Sequence, residues 1–283
     1  MAEPEYFQAV DAHYGRPDLG QLILDTLRNQ GKDLDALTPD DIAPLTHLTG
    51  RYKVATVALG RLVGLEPGLH VLDLGSGLGG PARTLATEFG CRVTGLDLTE
   101  EFVRAAAMLT RRVGLSDQIT FQQGNALEIP FPDASFDVVW HEQFAMHIAD
   151  KAQLYRQVHR VLRPGGRLAM REYMAGQVQP IHYPVPWARD AAINFLWSSE
   201  RVRQLLADTG FVELLWDDFT VAEMEVRRAL AASAGSGVPA PLTGARLLRG
   251  ADFRDTQENL ARNFAEDRLR VIQAVFGKDR QSS

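Results

Sequence analysis

Short apolar runs alternate with amphipathic stretches along most of this 283-residue chain. His70–Leu74, Arg92–Leu98, Ile119–Gln122, Phe136–Trp140 and Arg167–Glu172 have strand length, and most are apolar on both faces, the pattern of buried parallel strands. Ala82–Glu88, Glu100–Val113 and a stretch N-capped by Asp150 and running to about Leu162 carry helical spacing; Phe102, Ala106, Leu109 and Val113 mark one inner face. Strands alternating with helices predict a doubly wound α/β sheet. A further helix, Glu200–Thr209, and strand, Phe211–Trp216, extend the alternation, and Leu269–Gly277 is a last strongly apolar strand. Ahead of the sheet, helices are expected at Leu19–Gln30, from Thr38-Pro39 onward, and at about Arg51–Val63, closed by Gly64. The expected organisation is a helical cap over 1–65 and a core over 66–283, interrupted by lid insertions at about 175–198 and 218–268.

Composition narrows the function classes. The chain is 45% hydrophobic and 23% charged, ordinary for a soluble globular protein, and its net charge is −6. No run of Lys and Arg marks a nucleic-acid footprint, which disfavours a nucleic-acid partner. A single cysteine, Cys91, excludes an intramolecular disulfide and a cysteine-based zinc site. No apolar run approaches the roughly 20 residues of a membrane span, and the acidic N-terminus is unlike a signal peptide. A cytoplasmic protein acting on a small molecule, without a membrane partner, is expected; a homo-oligomer stays open.

The most informative stretch follows the first strand: Asp73-Leu74-Gly75-Ser76-Gly77-Leu78-Gly79-Gly80-Pro81. A strand, a glycine turn and a helix N-terminus together make a site where backbone N–H groups and the helix dipole are expected to face a ligand. Gly75, Gly77 and Gly80 satisfy the dinucleotide fingerprint. Asp73, Gly75, Gly77 and Gly79 satisfy the first motif of class I S-adenosylmethionine (SAM) methyltransferases, which the stretch resembles. A carboxylate at Asp73 would repel a pyrophosphate but suits the ammonium and sulfonium of SAM. Asp97, at the end of the second strand, is placed to accept the ribose hydroxyls of either ligand.

Later segments strengthen the resemblance. Gly124-Asn125-Ala126 through Pro130-Phe131 is similar to the segment that holds adenine in that family, with Asn125 where an Asp is usual; its side-chain oxygen can still accept from the adenine amino group. Val161-Leu162-Arg163-Pro164-Gly165-Gly166-Arg167-Leu168 matches the family's helix-stop and strand-start turn. The resemblance covers about residues 55–217. It implies a seven-stranded, mostly parallel, Rossmann-like sheet whose seventh strand is antiparallel, with SAM as cofactor. The implied cofactor-binding residues are Asp73, Gly75, Ser76, Gly77, Asp97, Leu98, Asn125, Ala126 and His141, with Arg51 of the leader toward the SAM carboxylate. Within the family, the insertions and the segment Trp140–Lys151 look most similar to the sarcosine/dimethylglycine N-methyltransferases and small-molecule O-methyltransferases.

Chemistry is expected just beyond the fourth strand. His141, Glu142 and His147 lie within seven residues of one another, where the family's methyl group meets its acceptor, and an imidazole there can serve as a base near neutral pH. His147 is expected to begin a helix. This segment lacks the acidic pair plus Asn of metal-dependent catechol-type enzymes, so no metal is expected. The aromatic, proline-rich stretch Gln177–Trp197 reads as a substrate lid, able to hold a cationic amine by cation–π contact or a flat aromatic acceptor. Methyl transfer to nitrogen or oxygen is the leading expectation. An NAD(P)-dependent oxidoreductase and a non-catalytic SAM-binding protein are the alternatives; the absence of a Tyr-x-x-x-Lys pair counts against the former.

Overall fold

The structure is a computed structural model that describes residues 9–10, 13–48, 52–234 and 242–279. Seven strands form one sheet: β1 (His70–Leu74), β2 (Arg92–Asp97), β3 (Ile119–Gln123), β4 (Phe136–Glu142), β5 (Leu162–Ala175), β6 (Phe211–Asp218) and β7 (Leu269–Lys278). Their order is β3-β2-β1-β4-β5-β7-β6. The first five run parallel, and β7 lies antiparallel between β5 and β6, as the resemblance implied.

Side-chain alternation along the strands builds the two faces. From β1, Leu72 and Leu74 join one core with Val139, Leu168 and Met170. That core packs under α6 (Lys151–Val161) and α7 (Ser199–Asp208) through Leu154, Val158, Val202 and Leu206. Val71 points to the opposite face. There it meets Val93, Val138 and Ala169 beneath α3 (Tyr52–Val63) and α4 (Gly80–Phe89). Both faces of the central strands are thereby apolar, which is why these strands read as nearly continuous hydrophobic runs.

The leader supplies α1 (Leu19–Asn29) and α2 (Pro39–Thr46) before α3. Leu19, Ile23 and Leu27 of α1 pack on Phe102, Ala105 and Leu109 of α5 (Glu100–Arg112). Between β6 and β7 run α8 (Thr220–Ala234), α9 (Gly244–Arg249) and α10 (Phe253–Ala265). Ile181, Val185, Trp187 and Ile193 of the proline-rich loop share a core with Leu260 and Phe264 of α10. No helix among the described residues is long and apolar enough to cross a membrane.

Two local expectations change. The Pro-Gly-Gly turn does not precede a separate strand. Phe136 pairs with Leu162 and Val138 with Arg167, so residues 163–166 bulge out within β5, with Gly165 at φ +77°. His147 does not begin a helix. It ends a single 3₁₀ turn, Ala145–His147, and α6 starts at Lys151, where Asp150 Oδ1 accepts from Gln153 N–H at 2.9 Å.

Candidate active site

At the carboxyl ends of β1, β2 and β4 lies a cavity of about 600 Å³. The strand order reverses at this point of the sheet, β1 having β2 on one side and β4 on the other, where open α/β sheets place their ligands. Volumes of about 300–1,000 Å³ are usual for small-molecule sites.

The glycine turn forms one wall. Gly75 (φ +67°), Gly77 (φ +51°) and Gly79 (φ +73°) hold backbone that side chains rarely adopt. A Cβ on Gly75 would lie 2.4 Å from Phe144 Cδ2, whereas one on Gly77 would meet nothing nearer than Leu48 Cδ1 at 3.6 Å, leaving open space over the turn. The expected cradle of free N–H groups is not what these residues form. Gly75 and Ser76 N–H donate to Leu96 O, Gly79 N–H to Ser76 O, and Gly77 N–H to Asp97 Oδ2 at 2.8 Å. The turn is therefore anchored to β2, and its contribution is close approach.

Asp97 is fixed from both sides, its Oδ1 accepting from Thr99 N–H at 2.9 Å. Each oxygen keeps lone-pair capacity toward the cavity that Asp97 lines. Burial raises its carboxyl above the usual range, opposed by these backbone donors. Leu98, Asn125 and Ala126 line the same cavity. Asn125 Oδ1 accepts from Leu127 N–H at 2.9 Å, which fixes the amide.

Three acids crowd the cofactor end. Burial, then Glu142 and Asp97, push the Asp73 carboxyl well above its ordinary value. Asp73 is buried behind the turn, off the cavity wall, and its Oδ2 has no hydrogen-bond partner among the described residues. Glu142 lines the cavity. Its Oε1 accepts from Thr56 Oγ1 at 2.7 Å and Trp140 Nε1 at 3.1 Å, while Oε2 has no partner among the described residues. Burial raises this carboxyl too. Orphaned carboxylate oxygens at 2–8% exposure fit a ligand that brings positive charge.

His141 is the clearest correction. It is fully buried, off the cavity wall, with Nδ1 2.6 Å from Glu172 Oε1. Glu172 also accepts from Phe144 N–H, so this pair holds the chain beyond β4 from below. The alternation of β4 explains the difference: Trp140 and Glu142 share one side and His141 faces the other. Arg51 lies outside the described residues.

His147 does line the cavity. Its Nε2 is 2.9 Å from the Tyr14 hydroxyl. With the ring neutral, the phenol can donate to Nε2. Burial lowers the imidazole to about 4 and raises the phenol to about 12, so both are neutral near pH 7. Lys151 secures the 3₁₀ turn. Its Nζ donates to Ala145 O, Ile148 O and Phe195 O at 2.7–2.8 Å, tying the turn to the proline-rich loop.

The sequence reading gave Gln143 and Arg249 no role and placed Trp187 only within the stretch read as a lid; all three line the cavity, as does Tyr14 of the leader. Gln143 sits at φ +51° between β4 and the 3₁₀ turn. No local motif marks these positions.

Fold and crevice together define a Rossmann-like adenosine-ligand binder with an acidic cofactor end. A family model described as a methyltransferase domain matches residues 72–170. The sarcosine/dimethylglycine N-methyltransferase of Halorhodospira halochloris is 31% identical over 197 residues, covering 67% of this chain and 68% of that protein. The 27-O-demethylrifamycin SV methyltransferase of Amycolatopsis mediterranei is 38% identical over 135 residues, 48% of each chain. The fold matches that of geranyl diphosphate C-methyltransferase from Streptomyces coelicolor, solved with Mg2+, geranyl diphosphate and S-adenosyl-L-homocysteine, at a TM-score of 0.69 and 17% identity over 98% of both chains. The chain belongs to the class I SAM-dependent methyltransferases. It spans half or less of the length of several other curated relatives that it matches.

Proposed function

We propose that this chain binds SAM in the crevice beyond β1, β2 and β4 and transfers its methyl group to a nitrogen or oxygen of a small-molecule acceptor by direct displacement. The observation that carries this reading is the junction of two environments in one cavity. The glycine turn, Asp97 and the orphaned Glu142 oxygen line it and suit a cationic nucleoside, with Asp73 buried behind the turn, and the Tyr14–His147 pair faces the same space.

In this reading Asp97 accepts from the ribose hydroxyls, Asn125 and Ala126 hold the adenine edge, and Glu142 receives the ammonium group, with Asp73 adding negative charge from behind the turn. Bound SAM supplies an electrophilic methyl group. The protein aligns the acceptor with it and excludes water, and positioning of this kind accounts for much of the acceleration. Tyr14 and His147 take up the proton that a hydroxyl or ammonium acceptor loses: the Tyr14 oxygen receives it while its own proton passes to His147 Nε2.

Transfer of label from methyl-labelled SAM to a panel of amines and phenols tests this function. A labelled acceptor is expected. SAM binding with no transfer across a broad panel would support the non-catalytic alternative instead.

A further inference from the structure

We infer that the acceptor is a largely apolar molecule carrying one anionic group, such as a carboxylate or phosphate, which Arg249 binds in the cavity. The inference rests on the methyltransferase reading for the word acceptor; the charge-binding subsite itself stands on the following geometry.

Among the described residues, the cavity lining carries four acids, Asp97, Glu128, Glu142 and Asp150, and a single arginine, Arg249, beside the apolar Val10, Met146, Pro186, Trp187 and Leu248. Tyr14 joins Arg249 to the rest of the site: the guanidinium packs on its ring, and both residues line the cavity. The Arg249 guanidinium lies 4.9 Å from the Tyr14 ring centroid and donates to His13 O at 3.3 Å. Among the described residues no carboxylate lies within salt-bridge distance of it. The neighbouring acid, Asp252, is held by Arg189 at 3.2 Å. The two histidines of this region, His13 and His147, are kept neutral by burial and by Arg249 itself, so they add no positive charge near pH 7. A half-buried guanidinium that spends donors on His13 O and the Tyr14 oxygen still has N–H groups left, and in apolar surroundings these are suited to a ligand anion.

The same geometry disfavours a cationic amine bound by the aromatic loop. Trp187 is stacked on Tyr173 at 4.6 Å and 2% exposed. Trp197 already carries the Arg201 guanidinium over its ring at 3.4 Å. The loop's tryptophans are occupied by the protein's own groups.

The test uses the full-length protein saturated with S-adenosylhomocysteine. It is titrated calorimetrically with 1-naphthoate, 1-naphthamide and 1-naphthylmethylammonium, which share one apolar body and differ in charge. The wild type is expected to bind naphthoate at least about tenfold tighter than the other two. Arg249→Gln should abolish that preference. Arg249→Lys should keep part of it, and Arg28→Gln, an exposed arginine of α1 paired with Asp25, should leave it intact. Melting and S-adenosylhomocysteine affinity check that each variant is folded. Absent naphthoate binding, equal binding of the three probes, preference for the ammonium, or a naphthoate preference that survives Arg249→Gln would each overturn the inference. Failure of S-adenosylhomocysteine to bind would instead count against the methyltransferase reading, and the probes would then be titrated into the protein alone.

Discussion

The Tyr14 hydroxyl and His147 Nε2 meet at 2.9 Å although 133 positions separate them in the chain. One group comes from the leader and the other from the turn beyond β4, and both line the cavity. Tyr14→Phe removes the donor and His147→Ala the acceptor. Each is expected to lower turnover roughly 10²-fold while changing SAM affinity less than about threefold. Because the two act as a unit, the double variant should be no slower than the worse single variant. Unchanged turnover in Tyr14→Phe would remove the pair from the mechanism.

The crowded acids predict a proton linkage. With the Asp73 and Glu142 carboxyls raised by burial, the free site holds protons that a cationic ligand would displace. SAM affinity should therefore rise with pH across the range in which these groups ionise, and binding should release protons. Calorimetry in buffers of different ionisation enthalpy reads the release directly. Asp73→Asn should abolish part of it and weaken SAM by about tenfold or more. Proton uptake on binding would contradict this.

The sequence showed the parts of the site that rest on local rules. The strand–glycine turn–helix unit and Asp97 at the end of β2 were readable because each follows from periodicity or a short motif; periodicity showed β7 as a strand, and its antiparallel direction came from the family resemblance. The pairing of Tyr14 with His147 was not, since nothing local ties residues of the leader to a turn beyond β4. His141 stood beside His147 as a second candidate base in the sequence. Strand alternation turned it inward onto Glu172, a partner 31 positions away. The glycine turn was legible as a turn, but the acceptor of each of its N–H groups depended on how β2 lies beside β1.

Gly75→Ala tests the close approach at the turn. The new Cβ would press on the Phe144 ring at 2.4 Å in a backbone conformation that disfavours it. A stability loss of about 1–3 kcal/mol is expected, with a disproportionate loss of SAM affinity as Phe144 shifts toward the cavity. Thermal melting with and without SAM separates the two effects. A variant stabilised by SAM as strongly as the wild type would contradict the assignment.

Lys151→Met removes the donor shared by Ala145 O, Ile148 O and Phe195 O, of which Ala145 O keeps Ile148 N–H. A destabilisation of about 3 kcal/mol or more is expected, with the proline-rich loop detached from the 3₁₀ turn. Hydrogen exchange at the Phe195 amide, which donates to Met146 O at 2.8 Å, should accelerate more than exchange in the central strands. Uniform change across the protein would mean that Lys151 does not act as a link.

His47 gives a pH prediction for stability. Buried between Ala43 O and Thr84 Oγ1, its imidazole is lowered to about 3 from an ordinary 6.5. A folded value below the unfolded one means that its contribution is present above pH 6.5 and is lost as pH falls, by about 1.4 kcal/mol per unit until the folded value is reached. His47→Gln should therefore flatten the stability profile between pH 6.5 and 4.5 by about 2–3 kcal/mol relative to the wild type, measured by urea unfolding. Parallel profiles would contradict the assigned burial.

The central claim is that the acidic crevice beyond β1, β2 and β4 holds SAM, and calorimetric titration of the full-length protein with SAM and with NADH tests it most directly. The account predicts saturable binding of SAM at a single site, none of NADH, and loss of SAM binding in Asp97→Ala. Binding of NADH without SAM, or SAM binding that survives Asp97→Ala unchanged, would contradict it.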